Sequence, residues 1–591
     1  MCQSMHDRLH KAPAEPRRSE DVAFFLKSRL FMLRQWWRDR GSPVMLQSRG
    51  SKNSDAPIIA QVRGALWTQA STAEFPLTAG KVQNLRAACV RFHGLEIPAG
   101  EIFSFWKQLG RTTRAKGFTF GRELRSGCLV PNIGGGLCQL SGQLHEAALL
   151  CGLEVVERHA HSRLLPGVEL PPERDATVFW NYVDLRFRGS FPWRLETHLS
   201  DTELVVTIRG MAMVNPNRPP QPGHDTHLPV RASADGDCHT CGALSCFRHP
   251  VANRGHKAAG HTAFLLEAHW PEFQTWCKRH TQAEDCWFTP LNGHRWKKPN
   301  YAWSPPSGIA LYHATRQTLR RSWRQRRVPL QGAARQAFLL HAQEELAADL
   351  ARHVVPEARH FVVSQSLLPH LWRAGHLGGR TFDVLLHRWP LADLESRLNQ
   401  AAARHPQSPT LADFRADSDL VLAESQALAA AARIITPHVA LASAFGLRAI
   451  LLEWEVANLE ARTDPVLTSP RWFFPASAVA RKGVYELADA LQHTGGELLV
   501  LGHATEGHND PLKNIPHRLA TMADLPHCTA IVLPAWIEHE PRLALRALAL
   551  GIPVIATHAC GFAPHRLLTM LDAGDSKSLR EAMQKCAQGL G

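Results

Sequence analysis

"PNIGGGLCQLSGQLHEAALLCGLEVVERHAHS", Pro131 to Ser162, is the stretch on which the front of this chain turns. Gly134, Gly135 and Gly136 run directly into Cys138. Glycines there permit positive φ and let a ligand approach the backbone closely. Leu140, Leu144, Ala147, Ala148 and Cys151 follow at helical spacing, and Gly152 supplies a stop. The spacing predicts a helix with Cys138 in its first turn. Unpaired N–H groups and the positive end of a helix stabilise a thiolate. The same N–H groups, with Gln139 beside them, are candidates to hold an oxyanion during acyl transfer. His159 and His161 come after the helix and supply a base, and Asp175 in "RDATV" is placed to orient one of them. The competing reading is a small buried side chain, because free cysteine is among the most buried residue types. Cys89, Cys128 and Cys151 have no such surroundings and read as core.

Working outward, "ATVFWNYVDLRF" is rich in β-branched and aromatic residues and predicts a strand. "WRLETHL" and "ELVVTIRG" flank Ser200-Asp201 and predict a hairpin. The segment 81–212 therefore reads as one α+β domain. Residues 1–80 read as an extension with one helix, "FFLKSRLFMLRQWWRDR". Phe25, Leu26, Leu30, Leu33 and Trp37 can share one face there, ringed by Lys27, Arg29, Arg34 and Arg38. Such a helix either packs on its own domain or lies on an anionic membrane.

Residues 213–262 form a Pro/Gly/His-rich connector that opens with "NPNRPPQPG". It contains Cys238, Cys241, Cys246 and His249 in the pattern C-x2-C-x4-C-x2-H. Four such ligands can close a tetrahedral structural zinc site. An iron–sulfur cluster with a fourth ligand from Cys277 or Cys286 is the alternative, and free thiols in a linker the third reading. The rest, 263–464 and 465–591, reads as two α/β halves. "GELLVLG", "TAIVLPA" and "IPVIATH" predict strands, and "PRLALRALALG" a helix between Pro541 and Gly551. Strand, helix, strand at this spacing predicts Rossmann-like parallel sheets.

The totals narrow the function. With 591 residues the chain holds several domains, and 45% hydrophobic with 20% charged residues is ordinary for a soluble protein. A net charge of +14 favours a partner rich in phosphate or carboxylate. No basic cluster interleaves with aromatics, so nucleic acid is not expected. Thirteen cysteines, an odd number spread along the chain, and a polar Met1–Glu20 lead us to expect a cytoplasmic protein, peripheral at most to the inner membrane face.

The run "NLRAACVRFHGLEIPAGEIFSFWKQLGRTTRAKGF…GGGLCQLSGQLHEAALLCGLEVVERHAHS…DATVFWNYVDLRF" resembles a VanW domain over about 81–210. The resemblance rests on Pro98-Ala-Gly-Glu, Phe103-Ser-Phe, Gly134-Gly-Gly-Leu-Cys-Gln, Glu157-Arg and His161-Ser. Some members of that family are implicated as cysteine L,D-transpeptidases of peptidoglycan. The resemblance implies Cys138 as nucleophile and His161 as base, with His159 ranking lower.

The segments "FFPASAVARKGVYELADAL", "LVLGHATEG" and "VLPAWIEHEPRLALRALALGIPVIATHACG" resemble the nucleotide-sugar-binding half of GT-B glycosyltransferases of the retaining, group-1 type. Glu538 and Glu540 follow a strand and suit sugar hydroxyls. Arg481 and Lys482 suit a diphosphate, with backbone N–H groups near Gly502. The family's second glutamate, separated from the first by seven residues, is Arg546 or Leu548 here. The expectation is a fusion protein of envelope or cell-wall glycan biosynthesis. It would take a nucleotide-sugar and an envelope precursor; the alternative is a non-catalytic scaffold or sensor of such precursors.

Overall fold

The computed structural model describes residues 18–40, 44–50, 54–67, 74–125, 128–161, 174–180, 182–211, 261–329, 332–456, 460, 462 and 469–588. The chain divides into two compact units. One is Met1–His261 with Val354–Arg359 and Ala374–Arg380; the other holds Thr262–His353, His360–Arg373 and Thr381–Gly591.

The first unit is built on a five-stranded antiparallel sheet. Its order is Ser48–Arg49, Leu95–Ile97, Trp193–Leu199, Glu203–Gly210, Ile58–Ala65. The hairpin expected around Ser200-Asp201 forms, with Leu204 opposite Leu199. Ile58–Ala65, read from sequence as part of an extension, is a full member of this sheet and pairs with Glu203–Gly210. Helices Phe75–Phe92 and Cys138–Leu150 close the core. Val82, Leu85, Leu140, Leu144, Leu195 and Val206 are buried together there. Truncating one such leucine to alanine costs about 2–5 kcal/mol.

The strand expected over 176–187 does not form. Only Arg186–Arg188 is a strand; upstream, Phe179 and Val183 make an isolated bridge around a turn. The aromatic rings that raised the strand propensity stack instead. Trp180 meets Trp106 edge-on at 5.3 Å, and Phe179 lies 5.0 Å from Tyr182. That side-chain packing replaces the ladder, and Asp175, Ala176 and Thr177 run past the helix that begins at Cys138.

The second unit contains two parallel sheets. The first runs Ala310–His313, Cys286–Thr289, His261–Leu265, Ala358–Ser364, Thr381–Leu385, Arg433–Thr436, Ala449–Leu451. The second runs His517–Leu519, Glu497–Val500, Arg471–Phe474, Ala530–Leu533, Val554–Thr557, Leu568–Leu571. Continuous apolar strands such as Ala530-Ile-Val-Leu, buried throughout, suit a sheet covered on both faces. Helix Arg542–Ala549 follows Pro541, and Gly551 beyond it takes φ +79°, as the sequence suggested. Among the described residues no helix is long and apolar enough to cross a membrane.

Candidate functional site

Cys138 is the first residue of helix Cys138–Leu150, so its backbone N–H has no acceptor within the helix. The loop before it is fixed by close packing. Gly134 and Gly136 hold φ of +85° and +93°. A Cβ on Gly136 would stand 2.1 Å from Lys81 Cγ, and one on Gly135 would stand 2.5 Å from the Gly121 carbonyl oxygen. Asn84, fully buried, donates from Nδ2 to the carbonyls of Gly135 at 2.9 Å and Thr119 at 3.1 Å. Its Oδ1 accepts the Thr119 N–H at 2.8 Å. The glycines are needed for these approaches, and the loop delivers the thiol at a set position.

His161 and Asp175 converge on that thiol. Asp175 Oδ1 lies 2.7 Å from the ring Nδ1 of His161, and Oδ2 accepts the His161 backbone N–H at 2.7 Å. With Nδ1–H donated to the carboxylate, Nε2 is the nitrogen left for the sulfur. Thr177 Oγ1 is 3.3 Å from Cys138 Sγ, and the Val178 carbonyl 4.0 Å from it. Ser141 Oγ donates to the Ala176 carbonyl at 2.8 Å and Arg158 Nη1 to the Asp175 carbonyl at 2.7 Å. These two bonds hold segment 174–178 against the helix.

The electrostatics follow from that geometry. Burial alone would raise the Cys138 thiol. The hydrogen bond and charge of His161, then the Thr177 hydroxyl and the Val178 backbone, outweigh it and bring the thiol below its ordinary value. Burial would lower His161, but hydrogen bonds to Asp175 and Cys138 and their negative charges raise it to about 10. Both shifts act in favour of a thiolate–imidazolium pair backed by a carboxylate. Each of the other seven cysteines with described side chains is shifted upward by burial. Cys89 and Cys151 both reach about 12.

His159 does not join the group; its Nε2 lies 3.3 Å from Glu157 Oε1. The two histidines take different partners because the strand ends at Glu157 and period-two alternation stops there. Gln139, expected as an oxyanion donor, is tied elsewhere. Its Nε2 donates to the Ala65 carbonyl at 2.9 Å and its Oε1 accepts from Lys81 Nζ at 2.8 Å. The N–H groups of Gly134 and Gly135 are also engaged, with the Thr119 carbonyl at 3.0 Å and the Asn132 carbonyl at 2.9 Å, so the remaining candidate donors to an oxyanion are the backbone N–H groups from Gly136 to Cys138.

Three residues here were not singled out from sequence. Lys81 and Asn84 lie one turn apart on helix Phe75–Phe92, both facing the glycine loop. Burial first, then the charge of Arg122, lowers Lys81 to about 7. Thr177 is the third. A lysine and an asparagine on an otherwise apolar buried face were the available signal for the first two; Thr177 had none.

In the second unit, Lys482 Nζ donates to Glu538 Oε2 at 2.8 Å. Glu538 Oε1 accepts the N–H groups of His539 at 2.8 Å and Glu540 at 3.0 Å. Burial would raise Glu538, but Lys482 and these N–H groups hold it down. Arg481 stacks over Phe414 at 4.3 Å, and burial lowers it. Glu540 bonds Arg542 at 2.6 Å, and Arg542 grips buried Glu272 with two bonds of 3.0 Å. Glu540 is thereby drawn into a bridge between the two sheets. The sequence reading set backbone N–H groups near Gly502 at a phosphate, and the N–H of Gly502 itself is engaged. It donates to the Ala476 carbonyl at 3.2 Å, and its missing Cβ makes room for Ser477.

Histidines 387, 438 and 539 share the surroundings of this pair. His387 and His438 each sit two residues past a strand end of the first sheet. Burial lowers both to about 4 and His539 well below its usual value, with Lys482, Arg388, His387 and His438 adding to the effect on His539. Fully buried Glu506, also unforeseen, binds Ser408 Oγ at 2.5 Å, Thr410 Oγ1 at 2.6 Å and the Ala480 N–H at 2.7 Å. It fixes the turn that carries Arg481 and Lys482.

Cys238, Cys241, Cys246 and His249 lie outside the described residues. Among the described residues no group of three or more His, Cys, Asp or Glu is placed to hold a metal ion. Cys277, considered as a further cluster ligand, is packed in an apolar core with Phe264 and Trp287.

Residues 80–209 match the family described as VanW like protein. The chain is 32% identical over 137 residues to the uncharacterized protein YoaR of Bacillus subtilis, across 23% of this chain and 45% of that protein. It is 31% identical over 118 residues to the vancomycin B-type resistance protein VanW of Enterococcus faecalis, across 18% of this chain and 41% of that protein. The chain thus spans less than half the length of these curated relatives. Among solved structures, the lipopolysaccharide outer core galactosyltransferase WaaB is similar at a TM-score of 0.34 and 12% identity, over 56% of this chain and 90% of that one. HepE of Anabaena, solved with UDP and glucose, is similar at 0.32 and 15%, over 56% and 90%. Scores this low decide nothing about activity, and the architecture rests on the strand orders given above.

Proposed function

We propose that the VanW-like region carries out thiol-based acyl transfer, and that the two-sheet region binds a nucleotide-sugar, both serving assembly of a cell-envelope glycan. The observation that carries the first half is the alignment of Cys138, His161 and Asp175 at a helix N-terminus. The thiolate attacks an acyl carbonyl and forms a C–S bond. Backbone N–H groups hold the oxyanion, and the His161 imidazolium gives its proton to the departing amine as the C–N bond breaks. An acceptor amine then attacks the thioester, returns its proton to His161, and releases the thiolate. Asp175 keeps the imidazole oriented throughout. The vancomycin-resistance label of one relative supports a wall or envelope precursor as acyl donor. A free, reactive thiol of this kind also fits the expected reducing, cytoplasmic setting.

For the second half the support is the Lys482–Glu538 pair beyond the end of strand Ala530–Leu533, where open parallel sheets bind ligands. The resemblance to GT-B transferases assigns Lys482 and Arg481 to the diphosphate and Glu538 to the sugar. One observation favours binding without transfer: Arg546 and Leu548 stand where the second glutamate would be.

Two measurements test these readings. Alkylation of Cys138 by iodoacetamide is followed against pH, with Cys138→Ser as the blank. A midpoint at the free thiol's ~8.5 would sink the acyl-transfer proposal. Calorimetric titration with UDP-, GDP- and dTDP-sugars addresses the other half. Binding without hydrolysis or transfer selects the scaffold reading, and absence of binding removes both.

A further inference from the structure

Helix Arg18–Arg40 carries apolar side chains on two faces, and the first unit uses one of them. Phe31 stacks on Tyr182 with ring centroids 5.9 Å apart, and Gln35 is buried. On the far side Leu26, Leu30, Leu33 and Trp37 are 54–66% exposed. At 3.6 residues per turn these four positions fall within about 60° of arc, a single stripe directed away from the fold. Trp36, 47% exposed, borders it. Lys27 and Arg34 follow the stripe on one flank, Arg29 and Arg40 on the other. From Val22 to Arg38 the sequence contains no acidic residue.

An apolar stripe facing water needs an occupant. Lys27, Arg29 and Arg34, in a stretch with no acid from Val22 to Arg38, argue against a second copy of this helix, since pairing would set like charges together. They complement an anionic surface. Leucines at the centre, tryptophans among them and basic side chains on both flanks make the arrangement of a helix lying in a bilayer interface. There the indoles sit at headgroup depth and the cations meet phosphates. We infer that this helix docks the protein, lying flat, on the surface of an anionic phospholipid bilayer. The inference does not rest on the thiol chemistry or on nucleotide-sugar binding.

The test is co-sedimentation of the full chain with vesicles of pure phosphatidylcholine and of equimolar phosphatidylglycerol and phosphatidylcholine. Binding to the anionic vesicles, weakened by salt and at least about tenfold weaker on the neutral ones, is expected. Leu30→Glu with Trp37→Glu should abolish it. Lys27→Glu with Arg34→Glu should lower it by about tenfold or more. All four positions are exposed, so thermal melting of each variant should match the parent and exclude misfolding. The inference is overturned by any of three results: no sedimentation with anionic vesicles, unaltered binding by the Leu30→Glu, Trp37→Glu variant, or a dimer in solution that the same pair of substitutions dissolves.

Discussion

Asp175 holds His161 at two points at once, the ring through Oδ1 and the backbone N–H through Oδ2, each at 2.7 Å. A single carboxylate therefore sets both the tautomer and the position of the imidazole that faces Cys138. Asp175→Asn keeps the shape and removes the charge. The imidazolium loses its counter-ion, and the thiolate loses the imidazolium. The midpoint of Cys138 alkylation should rise by about one to two pH units, read by mass spectrometry of the labelled chain. An unchanged midpoint would mean that the carboxylate is only structural.

The pH dependence has a definite sign. Folding raises His161 to about 10, so its contribution to stability is complete below the imidazole's ordinary ~6.5 and is lost as pH climbs through about 10. Folding lowers Cys138, so its contribution is complete above the ordinary thiol value and is lost as pH falls through the lowered one. Urea midpoints of the parent and His161→Gln should therefore differ at neutral pH and converge above about 10. A gap that persists at high pH would assign the effect to packing.

The glycine loop gives a paired prediction. Gly136→Ala meets Lys81 Cγ and must adopt φ +93°; Gly135→Ala meets backbone at Gly121. Each should cost about 1–3 kcal/mol and slow Cys138 alkylation. Gly142 is the control. It lies inside helix Cys138–Leu150, and a Cβ there meets nothing within 4 Å. Gly142→Ala should raise stability by roughly 1 kcal/mol through helix propensity, leaving alkylation unchanged.

In the second unit, Lys482→Met leaves Glu538 without its cation. The half-buried carboxylate should regain a higher pKa, and affinity for a nucleotide-sugar should fall by about tenfold or more in calorimetry. Equal affinities for parent and variant would remove Lys482 from the phosphate site.

The reading from sequence agreed with the structure where the pattern was local. The helix that begins at Cys138 and the parallel strands near the C-terminus were carried by spacing and by runs such as Ala530-Ile-Val-Leu. It failed where contacts span the chain. Thr177 reaches Cys138 across 39 residues, and Asn84 reaches Gly135 across 51. Neither pattern nor propensity encodes such pairs. Trp180 and Phe179 misled because strand propensity measures how a side chain suits a half-buried surface, and these rings found that surface in Trp106 and Tyr182.

Seven of the eight cysteines with described side chains are pushed toward the protonated form by their apolar surroundings, and Cys138 is drawn the other way. Among these eight, the folded chain offers soft electrophiles and peroxides one preferred target, and the five buried thiols come into play only as the fold opens. A limiting dose of oxidant would convert that single sulfur to its sulfenic form first, halting acyl chemistry while the architecture stays intact.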